Sequence, residues 1–385
     1  HPLTPSPLRR SRGYAPMPIR LPFPLRPTWA SGALLKNTFT FTRDDYAFVG
    51  PHIGDLEDVE TLEHYTSAIQ TYRHLFQVEA EIVACDLHPD YLSTQVAQEL
   101  AEEWGLPAPV HVQHHHAHLA ACLADNNYPA DADQVIGVAF DGTGYGTDGA
   151  IWGGEWFVGG YGGFERAAHL ETLPLPGGDA ATRAPWRIAV AYLHALLPPE
   201  DFPAGLFCPG ESGLIRQQIA HRLNTPQTSS MGRLFDAVAA LLNLCHTISY
   251  EAQAAIALEH LATTAPNDGG DYPFVVESTE ETWQVRLAPL FAAILDELSR
   301  DTPPPLIARR FHNSVAAMLA QGCERIREAT ALHTVALSGG VFQNQLLLAL
   351  AQQHLHAAGF TVLQHRQVPC NDGGVSLGQA VLANQ

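Results

Sequence analysis

Four histidines fall within five residues, His114, His115, His116 and His118. Side chains four apart on an α-helix project from one face, so His114 and His118 can offer two imidazole nitrogens to a single cation. Spacing leaves His115 with His118, and His111 with His115, as weaker alternatives. Two aspartates stand in glycine-rich turns, Asp141 before Gly142-Thr143-Gly144-Tyr145-Gly146 and Asp372 within Asn371-Asp372-Gly373-Gly374. Two carboxylates with two imidazoles would make a mixed donor set that suits divalent iron, zinc or manganese better than calcium. Plainer readings compete, because Asp-Gly is a common hairpin signal and Asp372 stands where a helix cap would.

The turns carry chemistry of their own. Gly142, Gly144, Gly146 and Gly149 leave backbone amides unobstructed, which is how phosphate oxygens are often cradled. Ser338-Gly339-Gly340-Val341 follows an apolar strand and precedes a helix from about Asn344, where free amides and the positive helix end favour a nucleotide. Lys36, in Gly32-Ala33-Leu34-Leu35-Lys36-Asn37, is costly to bury unless it meets an anion, a solvated strand-edge lysine being the alternative. Gly232 and Asp236 lie one turn apart on an apolar helix, where glycine permits close approach and the carboxylate could accept from ribose hydroxyls; a surface or capping role is equally open. A cation would have work to do here, bridging phosphate oxygens and neutralising their charge. No Ser-His-Asp or nucleophilic-cysteine arrangement is discernible, and His-Glu-x-x-His is absent.

Strands must alternate with helices to position these groups. The pattern predicts a β-hairpin from Leu34–Phe41 and Tyr46–Val49, a helix over 58–76, a strand ending at Asp86, a helix over 93–104, and a strand from Val135 to Asp141 returning over 150–158. Helices follow from about 186, over 229–245, 285–299 and 306–330, with an acidic, loop-rich stretch at 262–282. A last strand over 334–337 feeds the Ser338 turn. Residues 1–28 carry eight prolines and read as an extended linker.

The 385 residues, 46% hydrophobic and 16% charged, suit two or three structural units and contain no membrane-length apolar run. A net charge of −19 opposes a phosphate backbone, so nucleic acid is not expected as a partner. Six scattered cysteines without a Cys-x-x-Cys pair fit a reducing cytoplasm.

Several segments in combination resemble the HypF family, the carbamoyltransferases of NiFe-hydrogenase maturation. They are Arg10-Ser11-Arg12-Gly13-Tyr14-Ala15-Pro16, Gly32-Ala33-Leu34-Leu35-Lys36-Asn37-Thr38, His52-Ile53-Gly54-Asp55-Leu56, Asp86-Leu87-His88-Pro89, Val112-Gln113-His114-His115-His116-Ala117-His118 and Leu337-Ser338-Gly339-Gly340-Val341-Phe342-Gln343-Asn344.

The resemblance implies an α/β, two-lobed fold of the actin, sugar kinase and Hsp70 (ASKHA) type, Kae1-like. It places residues 1–28 as a linker from a preceding YrdC-like domain, 29–133 as the first lobe and 134–385 as the second with insertions. It implies transfer of the carbamoyl group of carbamoyl adenylate, made from carbamoyl phosphate and ATP, to the C-terminal cysteine of HypE, with homodimerisation open. Carried over by motif, His114, His118, Asp141 and Asp372 would hold iron or zinc. Gly142, Thr143, Gly144, Ser338, Gly339, Gly340 and Asn344 would line the nucleotide, Gly232 and Asp236 would approach its ribose, and Lys36 would serve the carbamoyl or phosphate end. Full-length members carry acylphosphatase, zinc-finger-like and YrdC-like parts, of which only the tail of the last is matched. Rivals are tRNA threonylcarbamoyl transfer or antibiotic O-carbamoyl transfer on the same fold, and an actin-like sugar kinase or nucleotide-switched binding protein.

Overall fold

The computed structural model describes residues 17–198, 207, 209–266, 270–279 and 282–385. The Arg10–Pro16 motif lies outside the described residues.

Two β-sheets organise the chain. The first contains β1 (Ile19–Leu25), β2 (Thr28–Ala30), β3 (Thr40–Val49), β4 (Ile82–Asp86) and β5 (Val110–Val112), in the order β1-β3-β2-β4-β5. β1, β3 and β2 pair antiparallel, whereas β2, β4 and β5 run parallel. Parallel neighbours need crossover connections, and α1 (Val59–Phe76) and α2 (Leu92–Glu103) lie on them. Trp29, Phe39, Phe41, Tyr65, Ile69 and Val83 form the core between sheet and helices.

After β5 the chain enters α3 (His114–Asp125) and then the second sheet, beginning with β6 (Val135–Tyr145), β7 (Ile151–Gly160) and β8 (Gly163–Leu170). The short β9 (Leu173–Pro174) and β10 (Gln227–Thr228) join it through β7. Between and after them come α4 (Asp179–Thr182), α5 (Pro185–Leu196), α6 (Pro209–Ala220), α7 (Met231–Leu241) and α8 (Gln253–Thr263). The rest is β11 (Val275–Ser278), β12 (Trp283–Arg286), α9 (Ala288–Ser299), α10 (Pro304–Thr330), β13 (Thr334–Ser338), α11 (Gln345–Ala357), β14 (Thr361–Leu363) and α12 (Val375–Leu382).

The main path of this sheet runs β11-β12-β8-β7-β6-β13-β14, with β8, β7 and β6 antiparallel and β6, β13 and β14 parallel. Both sheets thus contain three antiparallel strands continued by two parallel ones. This repetition is the two-lobed α/β architecture of actin, the sugar kinases and Hsp70.

β6 is buried on both faces, and its alternation sorts its side chains between them. Ile136, Val138 and Phe140 face α7 and α10 with Trp156, Phe235 and Phe311. Val135 and Ala139 face α3. Opposite, α12 packs on α3 and also on β2, β3 and β4, so the C-terminal helix ties the lobes together.

Two local expectations are corrected. The predicted hairpin over Leu34–Phe41 and Tyr46–Val49 is instead an irregular loop followed by the single long strand β3. Gly32 turns the chain at φ 77°, and the Asn37 amide donates to the carbonyls of Ser31 and Ala33 at 2.9 and 2.6 Å, which satisfies a loop whose apolar alternation imitates a strand. The proline-rich segment holds β1, tolerated because an edge strand leaves one row of amides without ladder duty.

Candidate metal and nucleotide site

Gln113 starts α3 by accepting from the His116 amide at 2.9 Å, so the first helical turn presents His114 and the next His118 on the same side. Small residues let the helix sit deep. Leu119 fills the space above Gly137 of β6, and a Cβ on Gly378 of α12 would overlap the Ala117 carbonyl oxygen. Both imidazoles are buried, at 1% and 0% exposed.

Asp141 reaches them because β6 breaks register with β7 between Phe140 and Gly144. A bulge of this kind bends the strand and re-aims a side chain. Ser230, the N-cap of α7, holds the bulge by donating to the carbonyls of Asp141 or Gly142, at 3.0 and 2.6 Å. The Asp141 Oδ1 accepts from the amides of Gly142 and Gly340 at 2.8 and 3.1 Å, leaving Oδ2 turned toward the histidines. Asp372 arrives on the 3-10 turn before α12, where Asn371 rather than Asp372 is the cap, accepting from the Gly373 amide at 3.1 Å.

The four residues meet. His118 Nε2 lies 2.9 Å from Asp141 Oδ2 and 3.6 Å from Asp372 Oδ1, and His114 Nε2 lies 3.6 Å from each. All four donor atoms fall within 4.8 Å of one another. Apart from one another, the buried His114 Nε2, His118 Nε2 and Asp141 Oδ2 have no hydrogen-bond partner, an arrangement that costs free energy unless a shared ion pairs with them. Two imidazole nitrogens and two carboxylate oxygens converging in this way fit a divalent transition metal.

In the metal-free cluster the four groups are tightly coupled in charge. Burial pushes both imidazoles toward the neutral form, yet Asp86, Asp141 and Asp372 outweigh it for His114, whose pKa is held well above the usual range. Asp141 and Asp372 raise His118 in the same way. Burial raises both carboxylates, but the two histidines win and hold Asp141 and Asp372 well below the usual carboxylate range.

His115 and His111 do not join the cluster. His115 Nδ1 accepts from the Gln113 amide at 3.2 Å, its ring packs on Gly144, and burial keeps it neutral. His111 lies exposed on β5.

The expected nucleotide residues surround the cluster unevenly. Gly142 is half-buried and Thr143 exposed on the open side of the bulge, whereas Gly144 is sealed beneath His115. Gly339 adopts φ 103°, and a Cβ there would strike the Phe140 carbonyl, so only glycine fits this close approach. Gly340 spends its amide on Asp141. Gly232 lets α7 close on the bulge, with a Cβ there coming 2.9 Å from the Gly142 Cα. Asp236 is buried against Arg233 at 2.7 Å, and Asn344 caps α11 by accepting from Leu347 at 2.8 Å. Lys36 sits in the loop before β3 at φ 46°, pairs with Glu251, and feels the charges of Asp372 and Asp141.

Sequence reasoning gave no role to Asp86, although its motif was recognised. Its Oδ2 accepts from His114 Nδ1 at 2.8 Å, which fixes the tautomer that leaves Nε2 free as a ligand. It also missed His312. Burial pushes that imidazole down to about 4, its Nδ1–H donates to the Ala308 carbonyl at 2.8 Å, and its Nε2 accepts from the Asn344 amide at 3.0 Å. A separate cavity of about 540 Å³, lined by residues including Tyr128, Asp133, Tyr161 and Phe164, contains none of the ligand residues.

A family model described as carbamoyltransferase, Kae1-like domain, second subdomain, matches residues 137–379, and one described as HypF Kae1-like domain matches residues 24–125. Carbamoyltransferase HypF2 of Cupriavidus necator is 40% identical over 98% of this chain and 49% of its own length. Carbamoyltransferase HypF of Rhodobacter capsulatus is likewise 40% identical over 98% of this chain and 49% of its own. The chain therefore spans about half the length of these curated relatives. A crystal structure of full-length HypF in the phosphate- and nucleotide-bound form superposes with a TM-score of 0.91 at 40% identity, covering 98% of this chain and 58% of that one. On this agreement of sequence, fold and extent of match, the chain belongs to the HypF carbamoyltransferase family, in the region described as its Kae1-like domain.

Proposed function

We propose that the chain is a carbamoyltransferase. It takes the carbamoyl group of carbamoyl adenylate, derived from carbamoyl phosphate and ATP, and passes it to the C-terminal cysteine of HypE, for the cyanide ligands of NiFe-hydrogenases. The observation that carries this reading is the convergence of His114, His118, Asp141 and Asp372 beside the glycine turns at 142 and 340. It is supported by the phosphate and nucleotide seen in the similar HypF crystal structure.

His114, His118, Asp141 and Asp372 would hold iron or zinc, which when bound supplies a Lewis acid next to a phosphate. Exposed Thr143 and the half-buried Gly142 face the open side, where uncovered amides suit an adenylate phosphate. Gly232 keeps α7 close enough for Asp236 to lie near the sugar, and Asn344 stands at the start of α11 on the other wall. Lys36 contributes a positive charge to the same mouth through its loop. In the transfer, the thiolate sulfur of the acceptor forms a bond to the carbamoyl carbon, the bond from that carbon to the phosphate oxygen breaks, and AMP leaves with the electron pair. Amides and Lys36 aimed at the departing phosphate would stabilise it. The reading also takes the lobes to divide near residue 133 and the chain to work in the cytoplasm, as a monomer or homodimer and without nucleic acid. Among the described residues no helix is long and apolar enough to cross a membrane.

The test is to supply the metal-loaded chain with carbamoyl adenylate and HypE and to weigh HypE intact. A mass gain of one carbamoyl group on the terminal cysteine supports the proposal. An unchanged mass, with nucleotide and metal demonstrably bound, refutes it.

A further inference from the structure

Ser338 is fully buried, and its hydroxyl faces the back of the histidine cluster rather than an open cleft. Its Oγ lies 3.3 Å from His118 Nδ1 and 2.8 Å from His365 Nε2. With His118 Nε2 committed to a metal, its Nδ1 carries the proton and donates to Ser338. The Ser338 O–H then points to His365 Nε2, or to the Cys370 carbonyl at 3.5 Å. The His365 side chain is 4% exposed, and its Nε2, 2.8 Å from the Ser338 hydroxyl, is placed to accept from it.

The loop that carries His365 is clamped from the same helix. Asp125, at the far end of α3, accepts from the amides of Arg366, Gln367 and Val368. Beyond the clamp the loop runs through Cys370, whose carbonyl accepts from the Gly339 amide at 2.9 Å, and ends at the ligand Asp372.

We propose that Ser338 and His365 are positioning residues of the metal centre, holding His118 in the Nδ1–H tautomer and seating the loop that delivers Asp372. Ser338 is thereby removed from the nucleotide's lining. The two histidine ligands have unlike supports: His114 leans on the carboxylate of Asp86, and His118 on a neutral hydroxyl and imidazole in series. Outer partners of this kind orient the ligand and raise its basicity, and losing one typically weakens metal binding about 10- to 100-fold. The inference rests on the reading of the four residues as metal ligands and is independent of the transferred group.

The decisive measurement is zinc affinity of the metal-stripped full chain, read by competition with a chromophoric chelator, alongside the melting temperature of the metal-free form. Ser338→Ala and His365→Phe are each expected to weaken zinc about 10- to 100-fold with little change in the metal-free melt. His365→Gln, whose amide oxygen can still accept from Ser338, is expected to recover most of the loss. Ser338→Ala removes a single oxygen and decides the matter alone should His365→Phe not fold. Parent-like zinc affinity in Ser338→Ala overturns the inference while the ligand set stands. No zinc uptake by the unmodified chain overturns both. Absence of carbamoyl transfer with the expected zinc losses refutes only the transferase reading.

Discussion

Asp86 Oδ2 and His114 Nδ1 lie 2.8 Å apart, with the Asp86 side chain 0% and the His114 side chain 2% exposed. Asp86 closes β4 and His114 opens α3, so the parallel pairing of Asp86 with Val112 on β5 brings them together. The same carboxylate accepts from the His88 amide through Oδ1 at 3.0 Å, which fixes the loop after β4.

Asp86→Asn keeps an acceptor of the same shape but removes the charge. Zinc affinity should fall about 10- to 100-fold, as measured by chelator competition, with the fold intact by circular dichroism. An unchanged affinity would mean that the pair is structural only.

Changing His114 and His118 together to Ala removes both imidazoles and leaves Asp141 and Asp372 facing each other. Elemental analysis after dialysis should find the metal content reduced to background. Retention of a stoichiometric ion would place the centre elsewhere.

Zinc binding should strengthen as pH rises. In the metal-free chain His114 and His118 have raised pKa values, so zinc must displace their protons, and binding heat should vary with buffer ionisation enthalpy. For stability of the metal-free form the signs are opposite for the two residue types. The raised histidines contribute fully below about pH 6.5, their unfolded pKa, and lose that contribution as pH climbs through their folded pKa. The depressed Asp141 and Asp372 contribute above about pH 3.9 and lose it as pH falls through theirs. The cluster's contribution should therefore peak between about pH 4 and 6.5, and chemical denaturation across that range should reveal the dome.

Gly378→Ala puts a methyl group on the Ala117 carbonyl oxygen, where backbone rather than a pliable side chain must yield. The cost should be about 1–3 kcal/mol or more in urea denaturation. Gly232→Ala meets the Gly142 Cα at 2.9 Å and should weaken nucleotide binding more than it lowers the melting temperature. Equal loss in both readouts would argue that Gly232 serves only packing.

Much of this arrangement is set by local sequence. A four-residue separation on a helix dictates that His114 and His118 share a face, and Val135–Phe140 before Asp141 can only be a buried strand entering a turn. A glycine at 232 signals a close approach, but that Gly142 passes there, and Phe140 beside Gly339, came from the docking of distant segments. Yet spacing left His115 and His111 open as weaker alternative ligands, and only packing against Gly144 and exposure on β5 removed them from the site. Asp86 acquired its role through strand pairing, and Ser338 faces inward because β13 lies beside β6, with Ser338 opposite Ala139. Lys36, which an apolar alternation had placed on a strand, sits in a loop because Asn37 could satisfy that loop's carbonyls. Steric periodicity acts between neighbours along the chain and so can be read from the sequence alone. Which side chains a buried hydroxyl or carboxylate meets depends on how distant segments dock, and that the folded chain alone decided.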